Sequence, residues 1–172
     1  MVSTTSLSNY HPIARRIVEL LQAADCWHET FEHAPVRTSE EAAQTRPGYT
    51  LRQGAKAIIC SVKGKAGNRF VMLVFPADRK FDSKSVRTAL KLDSFRFATP
   101  EDVAIVTGGV VPGAVPPFGN LFGLEVLADT SLFENERIVF NAGDQCFSVA
   151  MRSPDFRSLV RPTIADIIRH DP

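Results

Sequence analysis

No stretch of the 172-residue chain approaches the roughly 20 consecutive apolar residues that cross a bilayer, and MVSTTSLSNY at its start has neither a charged nor an apolar targeting region. The expected location is therefore the cytoplasm, with no membrane partner. Charge of one sign is also missing: 20 Lys and Arg stand against 19 Asp and Glu, leaving +1. Gripping DNA or any long duplex draws on counterion release at a strongly basic surface, so that function is excluded while a small local contact with nucleic acid is not. Cysteine is scarce. Cys26, Cys60 and Cys146 are odd in number and far apart, which reads as buried thiols, and with His11, His28, His33 and His170 they match no zinc spacing. No metal or cofactor is expected. Absent too are the phosphate loops G-x-x-x-x-G-K-[ST] and G-x-G-x-x-G, the G-x-S-x-G elbow, H-E-x-x-H, internal repeats and any linker.

What is there suits one packed domain, 44% apolar and 23% charged. Pro12 begins a helical pattern through Ile13, Ile17, Leu20 and Leu21, and residues 27–33 alternate as a half-buried strand. Thr38-Ser39-Glu40-Glu41 has the form of a capping box, opening a short helix that stops at Arg46-Pro47-Gly48. Residues 55–62 and 69–75 read as a hairpin with a loop over 63–68. A helix through Val86 and Leu90, a short strand at 95–97 and a helix capped by Thr99 follow. Residues 110–123 carry three prolines and three glycines yet many apolar side chains, the mark of a packed, shaped loop. Strands at 124–128, 137–141 and 146–151 come next, and Ser153 is expected to cap a last helix. Without a strict βαβ rhythm, the fold class is mixed α/β (α+β), with a largely antiparallel or mixed sheet, or a barrel-like core, flanked by short helices.

The total charge hides its placement. Ten basic residues and three acidic ones lie between Lys56 and Arg96, a local +7, so the rest of the chain carries −6. Such asymmetry suggests a face able to meet an anion, with ordinary solvated turns as the other reading. Lys56 differs from the rest because it opens an otherwise apolar strand, and is either snorkelling at a sheet edge or aimed into a pocket.

Gly54-Ala55-Lys56-Ala57, the 113–119 loop in G-x-x-x-P form, Leu132-Phe133-Glu134 and Phe140-Asn141-Ala142-Gly143 occur in an order and spacing that resembles the YbaK-type aminoacyl-tRNA deacylases. These are free-standing relatives of the editing domain inserted in bacterial prolyl-tRNA synthetases, and the doubled proline is most like the YeaK-like subgroup that clears seryl and threonyl mischarging. The resemblance implies an editing domain over 12–165, with tails at 1–11 (flexible) and 166–172, and a trans-editing hydrolase that cleaves the ester of mischarged tRNA carrying a small amino acid such as Ser, Thr or Ala. It implies catalytic roles for Lys56 and Gly113, with Ala114, Val115, Pro116 and Pro117 positioning the aminoacyl-adenosine. Thr38, Ser39, Phe118, Asn141 and Gly143 are expected to line the amino-acid sieve. An ordinary cap, a core aromatic and a hairpin turn remain the other readings of Thr38, Phe118 and Gly143. The implied partner is mischarged tRNA, with a synthetase or elongation factor as a further candidate. A non-catalytic module of the same fold docking on tRNA or a synthetase, and a hydrolase of small esters, remain the alternative functions.

Overall fold

The computed structural model describes residues 4–170, with side chains from residue 7 onward. The first helix, α1 (Pro12–Ala23), has proline in its first turn and buries Ile13, Ile17, Val18 and Leu21 along one stripe. After it come β1 (His28–Glu32), the short α2 (Ser39–Gln44), the hairpin β2 (Ala55–Gly64) and β3 (Gly67–Pro76), α3 (Ser83–Leu90), β4 (Leu92–Phe97) and α4 (Pro100–Thr107). An irregular stretch leads to β5 (Glu125–Asp129), β6 (Arg137–Asp144), β7 (Phe147–Arg152), α5 (Ser153–Val160) and β8 (Thr163–Ala165).

The strands form two sheets. The first is antiparallel in the order β1-β7-β6; the second runs β4-β2-β3-β5-β8, antiparallel across β4, β2 and β3 and parallel from β3 to β8. A bridge between Gly54 and Val139 joins them, so the start of β2 lies against β6 at a seam. The second sheet is apolar on both faces because each face has its own core. Ile59, Met72, Val74 and Val126 turn toward the larger core, shared with the first sheet, α1 and α5, and Cys60, Val71, Leu73 and Phe75 toward a smaller one with Val86 of α3. Burial pushes the Cys60 thiol up to about 12, as expected of an inert core cysteine.

Three expectations are corrected. The loop foreseen over 63–68 is a two-residue turn at Lys65-Ala66, because pairing continues out to Gly64 opposite Gly67. Ser153 is not the cap of α5; Arg152 holds that position, and the Ser153 hydroxyl donates to the Asn135 carbonyl at 2.5 Å. Strand β8 was not foreseen. Leu7, Ile167 and Ile168, in segments expected as tails, are buried, and residues 1–3 and 171–172 lie outside the described residues.

Candidate active site

A cavity of about 550 Å³ opens at the seam between the sheets. Its walls come from α2 (Ser39, Glu40, Ala43), the start of β2 (Ala55, Lys56, Ala57), the end of β4 (Phe97), the first turns of α4 (Pro100, Val103), Pro112, Gly113 and Val115 of the loop that follows, and Asn141 of β6. Local chemistry places each wall. Thr38 accepts a hydrogen bond from the Glu41 amide at 3.1 Å while the Glu41 carboxylate accepts from the Thr38 and Arg37 amides, so the capping box fixes α2 over the opening. Those backbone hydrogen bonds hold the Glu41 carboxyl below its ordinary range.

Lys56 stands on β2 before β4 begins to pair, opposite Phe75 on β3. The sheet is therefore open on that side, and the side chain is exposed and lines the cavity. It has no hydrogen bond or ion pair among the described residues. Of the ten basic residues between 56 and 96 it alone reaches the cavity, while Arg69, Arg79 and Arg96 pair with Glu125, Asp78 and Asp102.

Across the seam lies a buried polar cluster. Arg46, 6% exposed, donates from Nε to the Ser148 hydroxyl at 3.0 Å and from Nη2 to Asn141 Oδ1 at 2.5 Å. The Asn141 amide donates to the Gly113 carbonyl at 2.9 Å, and Ser148 is also hydrogen-bonded to His33 Nε2 at 2.7 Å. No carboxylate pairs with Arg46 among the described residues, and burial pushes its guanidinium down to about 10, which leaves it charged at neutral pH. The next residue of the loop is held by the Gly143 amide, which donates to the Ala114 carbonyl at 2.9 Å. Gly113 takes φ +87°, a backbone state in which a side chain is strained, and that lets the loop turn its carbonyl to Asn141.

The structure thus brings Lys56, Gly113, Thr38, Ser39, Val115 and Asn141 around one cavity. It does not bring the other expected residues there. Ala114, Pro116 and Pro117 are buried within the loop and do not line the cavity. Phe118 is fully buried with its ring 5.6 Å from Phe140 and 5.8 Å from Phe156, a core aromatic held by ring packing. Gly143, at φ +89°, faces α1, where a side chain would overlap the Ile13 γ2 methyl. Arg46, His33 and Ser148 were missed. Arg46 reads in the sequence as part of a helix stop, and nothing local signals that β6 and β7 will bury it.

The cavity is thus lined by exposed Lys56 and Arg37, buried Arg46 and a clamped Pro/Gly loop, with neither histidine nor cysteine in its walls, a class of site that offers cations and backbone groups to a substrate oxygen. The chain belongs to the aminoacyl-tRNA editing domain family, whose model matches residues 33–159. It is 32% identical over 156 residues, 90% of this chain and 92% of the other, to the multifunctional Ser/Thr-tRNA deacylase ProXp-y of Escherichia coli K12. A proline–tRNA ligase of Caldicellulosiruptor saccharolyticus is 27% identical over 124 residues, 65% of this chain and 20% of the ligase. The crystal structure of a candidate trans-editing enzyme for prolyl tRNA synthetase shares the fold, with a TM-score of 0.78 at 23% identity over 93% of this chain and 99% of that one.

Proposed function

We propose that this chain is a trans-editing deacylase that hydrolyses the ester between a small amino acid (serine, threonine or alanine) and the terminal adenosine of a mischarged tRNA. The observation that carries the reading is Lys56, an exposed cation without a partner among the described residues, in the wall of the cavity at the seam. Ester hydrolysis builds negative charge on the carbonyl oxygen, and an ammonium fixed beside that oxygen or the adjacent phosphate stabilises the transition state. The attacking water is held by backbone carbonyls and by the substrate's own ribose hydroxyl, consistent with walls that lack a Ser/His or Cys/His pair. Glu40, the one carboxylate among the lining residues, is the counter-charge for the substrate ammonium. Gly113 and its loop present backbone groups to the aminoacyl-adenosine at low entropic cost, because Asn141 and Gly143 already hold them.

The editing domain proposed to do this spans 12–165, with Leu7, Ile167 and Ile168 packed onto it, and its place of action is the cytoplasm. No described helix is long and apolar enough to cross a membrane. A synthetase as docking partner rests on the likeness to part of a proline–tRNA ligase. The test is a panel of tRNAs charged with Ser, Thr, Ala and Pro. Faster ester loss than in a blank for at least one of the first three, with the prolyl ester spared, is the expected result, and no acceleration for any of them contradicts the reading.

A further inference from the structure

The buried guanidinium at the seam has one nitrogen left over, Nη1. Arg46 spends Nε on Ser148 and Nη2 on Asn141, and Nη1 has no partner among the described residues although the residue is only 6% exposed and lines the cavity. No side-chain nitrogen or oxygen of the described residues is both fully buried and without a hydrogen bond, so Nη1 keeps exposed surface, and Arg46 lines the cavity. A charge buried without a carboxylate is costly, and its two anchors on β6 and β7 fix where the remaining donors point.

Resting on the deacylase reading above, we propose that Arg46 is the specificity-determining residue for the amino acid: its Nη1 donates to the side-chain hydroxyl of a seryl or threonyl group. A guanidinium only donates, so it rejects the substrate ammonium and gains nothing from a methyl group. A phosphodiester keeps its hydration and both ester substituents at a mouth, whereas a serine hydroxyl is small enough to reach a donor that is 6% exposed. Lys56 and Arg37, both exposed in the cavity wall, are the cations available to the larger anionic parts of the tRNA. An alanyl group would leave Nη1 unmatched, and a site built to bind a hydroxyl discriminates strongly against the analogue that lacks one.

The experiment compares single-turnover clearance of Ser-tRNA, Ala-tRNA and 2-aminobutyryl-tRNA by the wild type, Arg46→Lys and Arg46→Met, with melting curves for all three proteins. 2-Aminobutyrate matches serine in size and lacks the hydroxyl. The wild type is expected to clear Ser faster than 2-aminobutyrate by about tenfold or more. In Arg46→Met the Ser rate falls by about that factor more than the Ala and 2-aminobutyryl rates, which share only the loss that follows from freeing Asn141, and Arg46→Lys restores part of the gap. Equal losses on all three substrates, or no loss, overturn the assignment, since they mark a structural role or a donor aimed at the shared ester. Should the Met variant fail to fold, the wild-type Ser to 2-aminobutyryl ratio and the Lys variant decide alone, and a ratio near one overturns the assignment. A wild type that clears none of the tRNAs defeats the deacylase reading, and the assignment with it; a wild type that clears all of them equally defeats only the assignment.

Discussion

Asn141 joins the two halves of the site: its carbonyl oxygen accepts from Arg46 and its amide donates to the Gly113 carbonyl. Asn141→Ala removes these bonds and the one its carbonyl oxygen accepts from the Ser148 hydroxyl, and frees the loop carbonyl. The expected outcome is a fall in kcat of about tenfold or more with a smaller change in KM, read by steady-state deacylation, because about 1–3 kcal/mol of positioning is lost after the tRNA has bound. Phe118 makes the opposite case. Its ring is fully buried between Phe140 and Phe156, so Phe118→Ala should cost about 3–5 kcal/mol, a drop in Tm of roughly 6–20 °C by calorimetry. The preference among amino acids in a variant such as Phe118→Leu should stay as it was, since the ring is not in the wall. The sequence motif that holds Phe118 is legible, but whether an aromatic beside a ligand loop faces the ligand or the core depends on what packs behind it, and Phe156 comes from a helix 38 residues further on.

Three helices, two of them at the cavity, begin with a carboxylate turned back on the backbone. Glu41 accepts from the Arg37 and Thr38 amides, Asp82 from the Ser85 amide and hydroxyl, and Asp102 from the Thr99 amide and Arg96. Those hydrogen bonds lower all three carboxyls in the folded protein. A lowered carboxyl stabilises the fold fully above its unfolded value, about pH 4, and the gain is lost as pH falls through the lower folded value. Urea midpoints measured from pH 7 down to pH 3 should therefore decline below about pH 4.5, and less steeply in a Glu41→Gln, Asp82→Asn, Asp102→Asn variant. These caps were largely legible, for Thr38 and Thr99 stand at the right distance before a carboxylate. The long 110–118 loop was legible as shaped and packed. What fastens it was not, since Asn141 and Gly143 are about 28 residues away in sequence and local patterns carry no register between them.

At the scale of the molecule the cavity exists because two sheets meet where Gly54 lies beside Val139, and the closing segment keeps the second sheet in place. Buried Asp129 accepts from the Ser131 amide and hydroxyl and from the Ile167 and Ile168 amides, tying β5 to the chain beyond β8. Asp129→Ala should lower Tm by roughly 6–12 °C in a thermal melt, the effect of losing about 3 kcal/mol of charge-assisted hydrogen bonds, while leaving substrate choice unchanged. The near-zero net charge was informative only once placed: the +7 segment is mostly solvated or paired, and one lysine of it reaches the cavity. The antiparallel sheet and single packed unit could be read from periodicity, but the parallel pairing of β5 and β8 depends on long connections whose course no local pattern records. The central claim is that Lys56 carries the hydrolysis, and it is tested most directly by single-turnover clearance of Ser-tRNA with wild type and Lys56→Ala at matched folded concentration. Lys56→Ala should keep the Tm of the wild type and clear the ester about a hundredfold more slowly, in line with the loss of one charge-stabilising donor. A Lys56→Ala protein that clears Ser-tRNA as fast as the wild type would contradict that claim.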